Sequence, residues 1–419
     1  MDSKQKSELS TVESEQTEAR NEQTRVKQNS QSSSMDSEQQ FGITAESEQP
    51  DAQNEGTQAT QNGQSSSMDN DYVKKCLLLE IAATRGDWEK ARGIINEGPE
   101  RLKKSITWTG ETALHLAAAS GHTLFIEKWL EHDKIGEEDV AHPNYNEVTA
   151  LGFAAATGTE LVAKDILSHS KGKRCKPVEF MPLYMAASEG HGDMTNYLFK
   201  ESEFHSWDHE KQITLLNTCI RSGIYNRSLL IIQQEEFGNL AYQKDEYGET
   251  PLDVLARKPS AFDDATQRSS RVINCVRKRE KKVQNETAGH RLFKFCWDHY
   301  LQRAKSMDEI ISYGSQLLFD AAYFGNFEFL VELLNSCPEL IYKATNRETI
   351  FHIAICNRDE DTFNLIHEIG ALKNLITSYR ENTGKKNNIL HKAALLPAKN
   401  RVKPAWGTAL RVRQEILWQ

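Results

Sequence analysis

The 419-residue chain has little of what secreted, membrane-spanning and metal-dependent proteins share. Its seven cysteines are scattered singly and odd in number, with no Cys-x-x-Cys pair. That pattern fits reduced thiols rather than a disulfide framework and leaves no zinc site to expect. The first 30 residues hold no apolar stretch, so no secretory signal is expected. Within the folded part the longest run without Asp, Glu, Lys or Arg, 112–126, is 15 residues, and the longest also free of His, 148–159, is 12, against the roughly 20 that a spanning helix needs. The chain as given therefore reads as soluble and cytoplasmic. Net charge is concentrated in one segment. Residues 1–70 carry thirteen acidic and five basic residues, about −8, while the whole chain is at −9. The remainder is close to neutral, which excludes a broad nucleic-acid-binding surface.

Residues 1–70 also have a single aromatic, Phe41, and no apolar periodicity. Rich in Ser, Gln, Glu, Asn and Thr, they cannot bury enough apolar surface to offset ordering entropy, so a disordered acidic tail is expected. The tail is internally duplicated: residues 11–36 align with 44–69 at 17 of 26 positions.

What the rest contains is a period. Gly110-Glu-Thr-Ala-Leu-His-Leu-Ala-Ala-Ala-Ser-Gly-His122 recurs in weaker copies, whose anchors are Leu79, Leu114, Leu151, Leu183, Leu216, Leu252, Leu318, Phe351 and Leu390. Their spacings are 35, 37, 32, 33, 36, 66, 33 and 39, and the 66 is twice 33. Paired small residues (Ala117-Ala118, Ala154-Ala155, Ala186-Ala187, Ala321-Ala322) precede a turn glycine and let neighbouring helices approach closely. A second helix follows with an i, i+4 apolar stripe, as in Phe125-Ile126 with Trp129-Leu130. One such unit cannot bury both helices alone, so the units must stack. The signature resembles the ankyrin repeat. The resemblance implies an all-α solenoid of helix-turn-helix units with β-hairpin tips, in which Thr112 caps the first helix and His115 bonds the turn backbone. His115, His352 and His391 are then structural rather than catalytic. Copies with Gly152, Tyr184, Asn217 or Asp253 at the same place support that reading.

The period breaks once. The unit opened by Tyr247-Gly-Glu-Thr-Pro-Leu-Asp253 has Pro259 where the turn glycine belongs, and no second helix follows directly. Residues 257–306 read as a basic linker with one aromatic helix, Leu292 to Leu301, that either spans a gap or separates two stacks, 71–256 and 307–419. Its basic centre is Arg277, Lys278, Arg279, Lys281 and Lys282. That run reads as a solvated face, a contact for anionic lipid or a nuclear import signal.

The second half narrows the resemblance. Leu317-Leu-Phe-Asp-Ala-Ala322, Ile350-Phe-His-Ile-Ala354, Phe363-Asn-Leu-Ile-His-Glu-Ile-Gly370 and Gln414-Glu-Ile-Leu-Trp418 resemble plant ankyrin proteins that carry a C-terminal transmembrane PGG domain. In that family the stack lies at the cytosolic face of the membrane, and the roles are in defence and stress signalling. Here the chain ends at Trp418-Gln419 without Pro-Gly-Gly or membrane helices.

Chemistry is sparse. Gly384-Lys385 has Tyr379 where a phosphate loop needs glycine, and Asp298-His299-Tyr300 lacks the cysteine of a palmitoyl transferase. Cys296 and His299 could meet at i, i+3, with nothing to complete a hydrolase. We expect no catalytic residue, no metal, no cofactor, no small-molecule substrate and no direct nucleic-acid binding. The expectation is a non-catalytic scaffold for other proteins, with a nuclear adaptor imported through 277–282 as the alternative. By the family's register, partner contacts fall on the unit tips and inner helices: Trp108, Tyr145, Glu147, Tyr247 and Arg347.

Overall fold

The computed structural model describes residues 65–98, 104–132, 135–169, 178–263, 286–345, 348–367 and residue 393. The tail to residue 64, the basic run 277–282, Arg347, His391 and nearly all of the last unit lie outside the described residues. Those that are described form helices in pairs: α1 (Ser65–Arg85) with α2 (Trp88–Glu97), α3 (Ala113–Ala119) with α4 (Thr123–Leu130), and α5 (Ala150–Thr157) with α6 (Glu160–His169). After these come α7 (Phe180–Ser188) with α8 (Gly192–Lys200), and α9 (His209–Arg221) with α10 (Tyr225–Ile232). The last three pairs are α11 (Pro251–Ala256) with α12 (Ala288–Arg303), α13 (Met307–Phe324) with α14 (Phe327–Ser336), and α15 (Ile350–Asn357) with α16 (Glu360–Asn364).

These pairs arise from local rules. A glycine at positive φ ends six of the eight first helices, all but α11 and α15: Gly158, at φ +70, takes the left-handed turn after α5, and its N–H returns to the Ala154 and Ala155 carbonyls. The odd-numbered helices pack each on the next, from α1 to α15, as one inner layer. Even-numbered helices form the outer layer, where Arg227 Nε of α10 donates to Asn196 Oδ1 of α8 at 2.6 Å. The anchors Leu79, Leu114, Leu151, Leu183, Leu216, Leu252, Leu318 and Phe351 are all buried between the layers. Burying each such side chain contributes about 1.5–3 kcal/mol.

Three expectations change. First, no strand occurs among the described residues, only isolated bridges at Val178–Ser202 and Thr345–Glu348. The tips are tight turns, not β-hairpins, because each closes on one or two backbone bonds, such as Asn144 N–H to Val148 O at 2.9 Å. Second, α1 begins at Ser65, ahead of the first unit's expected start at Asp71. Third, the 66-residue spacing hides neither a missing unit nor a boundary between stacks. Inner helix α11 packs directly on inner helix α13, and α12 takes the outer position of the same unit, against α10, α11 and α14.

Why α12 can do this is visible at its start. Thr287 Oγ1 donates to the Ala261 carbonyl at 3.1 Å, so the ends of the 264–285 insertion sit side by side. A side chain at Gly289 would collide with that same carbonyl, so only glycine lets α12 settle there. Phe293 then meets Phe329 edge to face at 5.0 Å, and Trp297 stacks on Phe293. The aromatic helix expected at Leu292 to Leu301 forms, and it packs as part of the stack rather than as a linker.

Candidate functional site

The tip turns come first, since they present the sequence-selected residues. In the first, Glu111 is buried beneath the turn and accepts from the hydroxyls of Thr107 and Thr109 and from Asn144 Nδ2 at 2.8 Å. Burial opposes its ionisation, but these hydrogen bonds outweigh burial and hold its carboxyl below the usual range. Tyr145 N–H donates to Thr109 O at 3.1 Å, which ties one tip to the next. With their turns fixed from below, the aromatics point outward: Trp108 is 89% exposed, Tyr145 75% and Tyr247 64%. None is packed beneath a neighbouring tip. Glu147 is exposed too and sits at φ +61 in the left-handed region, where the equivalent turns have Gly110 and Gly248. An L residue held there stores strain. Arg347 lies outside the described residues.

Thr112 and His115 behave as a cap, not as a catalytic pair. The Thr112 N–H donates to His115 Nδ1 at 3.1 Å, and the Thr112 hydroxyl lies 2.8 Å from the same nitrogen. The proton then belongs on Nε2, which donates across to the Val148 carbonyl of the next unit at 3.2 Å. Burial, only partly offset by the Val148 carbonyl and Glu111, brings this imidazole down to about 4. Thr349 and His352 repeat the cap at 3.2 and 2.9 Å. Asn217 does the inter-unit part of the task from the same position, donating to Glu249 O at 2.9 Å. Asp253 does the capping part, accepting from the Thr250 N–H and hydroxyl at 2.9 Å each.

The pairing of Cys296 with His299 does not form. His299 Nδ1 bonds the Phe295 carbonyl at 2.8 Å, and Cys296 is buried, which pushes its thiol up to about 12. A thiol so protonated is no nucleophile.

One feature escaped the sequence reading: a ladder of alternating charge on the inner side of the last units. Arg221 Nη2 reaches Asp245 at 2.6 Å and Glu249 at 2.8 Å. Glu249 continues to Arg257, whose Nη2 pairs with Asp320 at 2.8 Å. Burial opposes ionisation of Asp245, and hydrogen bonds from Asn217, the Glu249 N–H and Arg221 overcome it, holding the carboxyl below its usual range. Arg221 also lies over the Tyr247 ring, 5.2 Å from its centroid, so the ladder and the exposed tip are one surface. Two signals were available, the shared position of Arg221 and Arg257 five residues after their anchors and the tip acids, but their partners lie 8 to 63 residues away.

The two halves of the inner surface therefore differ. Helices α3, α5 and α7 carry no Lys, Arg, Asp or Glu and present Leu116, Phe153 and Met185, whereas α9 to α13 present the ladder. Among the described residues no group of three His, Cys, Asp or Glu side chains could hold a metal ion. Nor is any described helix long and apolar enough to cross a membrane. No family model matches the chain, and no curated protein matches it.

Proposed function

We propose that the chain is an ankyrin-type solenoid acting as a non-catalytic scaffold, which binds other proteins through its tips and inner helices. The carrying observation is the set of exposed tip aromatics, Trp108, Tyr145 and Tyr247, on turns braced from beneath. Exposed Trp and Tyr on a rigid frame are what binding hot spots are made of, and a braced turn loses little entropy when a partner docks. The repeat period, the Thr–His caps and the two helix layers support the ankyrin reading. By resemblance, the setting is plant defence or stress signalling at the cytosolic face of the plasma membrane, with the basic run as a second contact, to anionic lipid.

The test is quantitative capture of partners by the full chain and by a Trp108→Ala, Tyr145→Ala, Tyr247→Ala triple variant. Capture should fall on the order of tenfold or more, with thermal unfolding unchanged because these side chains bury little. Equal capture by both proteins refutes the reading.

A further inference from the structure

We propose that the first four units seat a basic amphipathic helix of the partner, a reading that rests on the protein-binding function above. The residue two positions after each anchor is apolar in all four units: Ile81, Leu116, Phe153 and Met185. Ile81 is exposed and the other three are half-buried, and their helices α1, α3, α5 and α7 are successive neighbours. Together they make one apolar line across the stack. Three residues further along each helix lie Thr84, Ala119, Ala156 and Ser188, too small to obstruct a docked backbone.

Spacing selects the occupant. Packed helices lie about 8–10 Å apart. A helical partner advances about 1.5 Å per residue, so seven residues, two turns, carry it about 10 Å and return the same face to the next unit. An extended chain covers that step in about three residues, which would turn successive side chains to opposite sides. A helix with heptad-spaced apolar residues can engage all four units, and a strand cannot. Crossing three such steps, roughly 30 Å, takes about 20 residues.

Charge selects its flanks. The inner helices α3, α5 and α7 hold no cation, and the exposed charges beside them are Glu147, Glu179 and Glu189. Glu189 sits at the C-terminus of α7, where the helix dipole adds negative potential. Exposed Trp108 and Tyr145 stand at the adjoining tips, ready to receive cations over their rings. The first unit differs: α1 carries Lys74, Lys75 and exposed Arg85, of which Lys75 is paired with Asp71 and Glu97, while Lys104 lies over Tyr72 at 5.4 Å, so the acidic flank belongs to units two to four.

The experiment uses the full chain and three synthetic 21-residue peptides, read by fluorescence anisotropy. One has leucine at every seventh position with Lys and Arg flanks, the second has the same composition with the leucines off that register, and the third carries a central proline that prevents a helix. The first should bind at least about tenfold tighter than the other two, with affinity falling steeply in salt. A Glu147→Lys, Glu189→Lys variant, altered only at exposed positions, should weaken it several-fold. Equal binding of the off-register or proline peptide, or undiminished binding by the variant, overturns the inference. If no peptide binds while partner capture still depends on the tip aromatics, this inference falls and the scaffold reading stands. If capture is also indifferent to the tips, both fall.

Discussion

The side-chain amide of Asn326 donates to the carbonyls of Leu255 and Ala256, at 3.0 and 3.1 Å, across 71 and 70 residues of sequence. In other units the same bond spans about half that distance. Asn357 reaches the Ala322 carbonyl 35 residues back, and His191 reaches Ala156, also 35 back. Asn326 thus treats the interrupted unit as an ordinary neighbour.

The 264–285 insertion should therefore be dispensable for folding. Deleting 267–282 shortens the closed loop about threefold, which by loop-closure entropy should stabilise the stack by about 1 kcal/mol. Denaturant unfolding of the deletion protein checks this. By contrast, Asn326→Ala, which orphans the two buried carbonyls and removes the N-cap acceptor of the Phe329 N–H, should cost about 1–3 kcal/mol. A stack that needed the insertion as a spacer would show the reverse order.

The cap at His115 makes a pH prediction. Its folded-state value of about 4 lies below the 6.5 of an unfolded histidine, so the unfolded chain binds more protons between those values. Stability should be full above pH 6.5 and fall as pH drops toward 4, by on the order of 2–3 kcal/mol from this group. His115→Asn, which copies the Asn217 arrangement, should flatten that part of the profile. An unchanged slope in the variant would assign the acid sensitivity elsewhere.

Charge in the ladder is coupled. Arg221→Ala leaves Asp245 buried without its cation, so about 2–3 kcal/mol should be lost, with part recovered by adding Asp245→Asn. A double-mutant cycle by urea denaturation measures the coupling. Additive losses would show that the two groups act independently.

The anchors, the turn glycines and the caps were legible because each follows from a local steric or hydrogen-bonding need that repeats with the period. Trp108, Tyr145 and Tyr247 could be placed at tips for the same reason. The sixth unit was not legible, because a period counts residues while packing counts helices, and Thr287 and Gly289 close the insertion through contacts with Ala261 that leave no local pattern. The ladder was hidden likewise: Arg257 meets Asp320 only because α11 and α13 are neighbours. That Cys296 and His299 do not pair was not legible either, because i, i+3 proximity says nothing of the burial and the Phe295 carbonyl that decide the outcome.

Cys296 gives a simple check on that burial. With its thiol pushed up to about 12, it should resist iodoacetamide in the native chain at neutral pH and react only on unfolding. Peptide mapping of the alkylated protein reads this directly, and rapid native labelling would mean that α12 does not pack as described.

The most direct measurement is hydrogen exchange of the full chain alone and with a captured partner. Protection should concentrate in the turns 107–110, 144–148 and 245–249 and along the inner helices, leaving the outer helices α4, α6 and α8 unchanged. Protection confined to the outer helices, with the tips unaffected, would contradict binding through the inner surface.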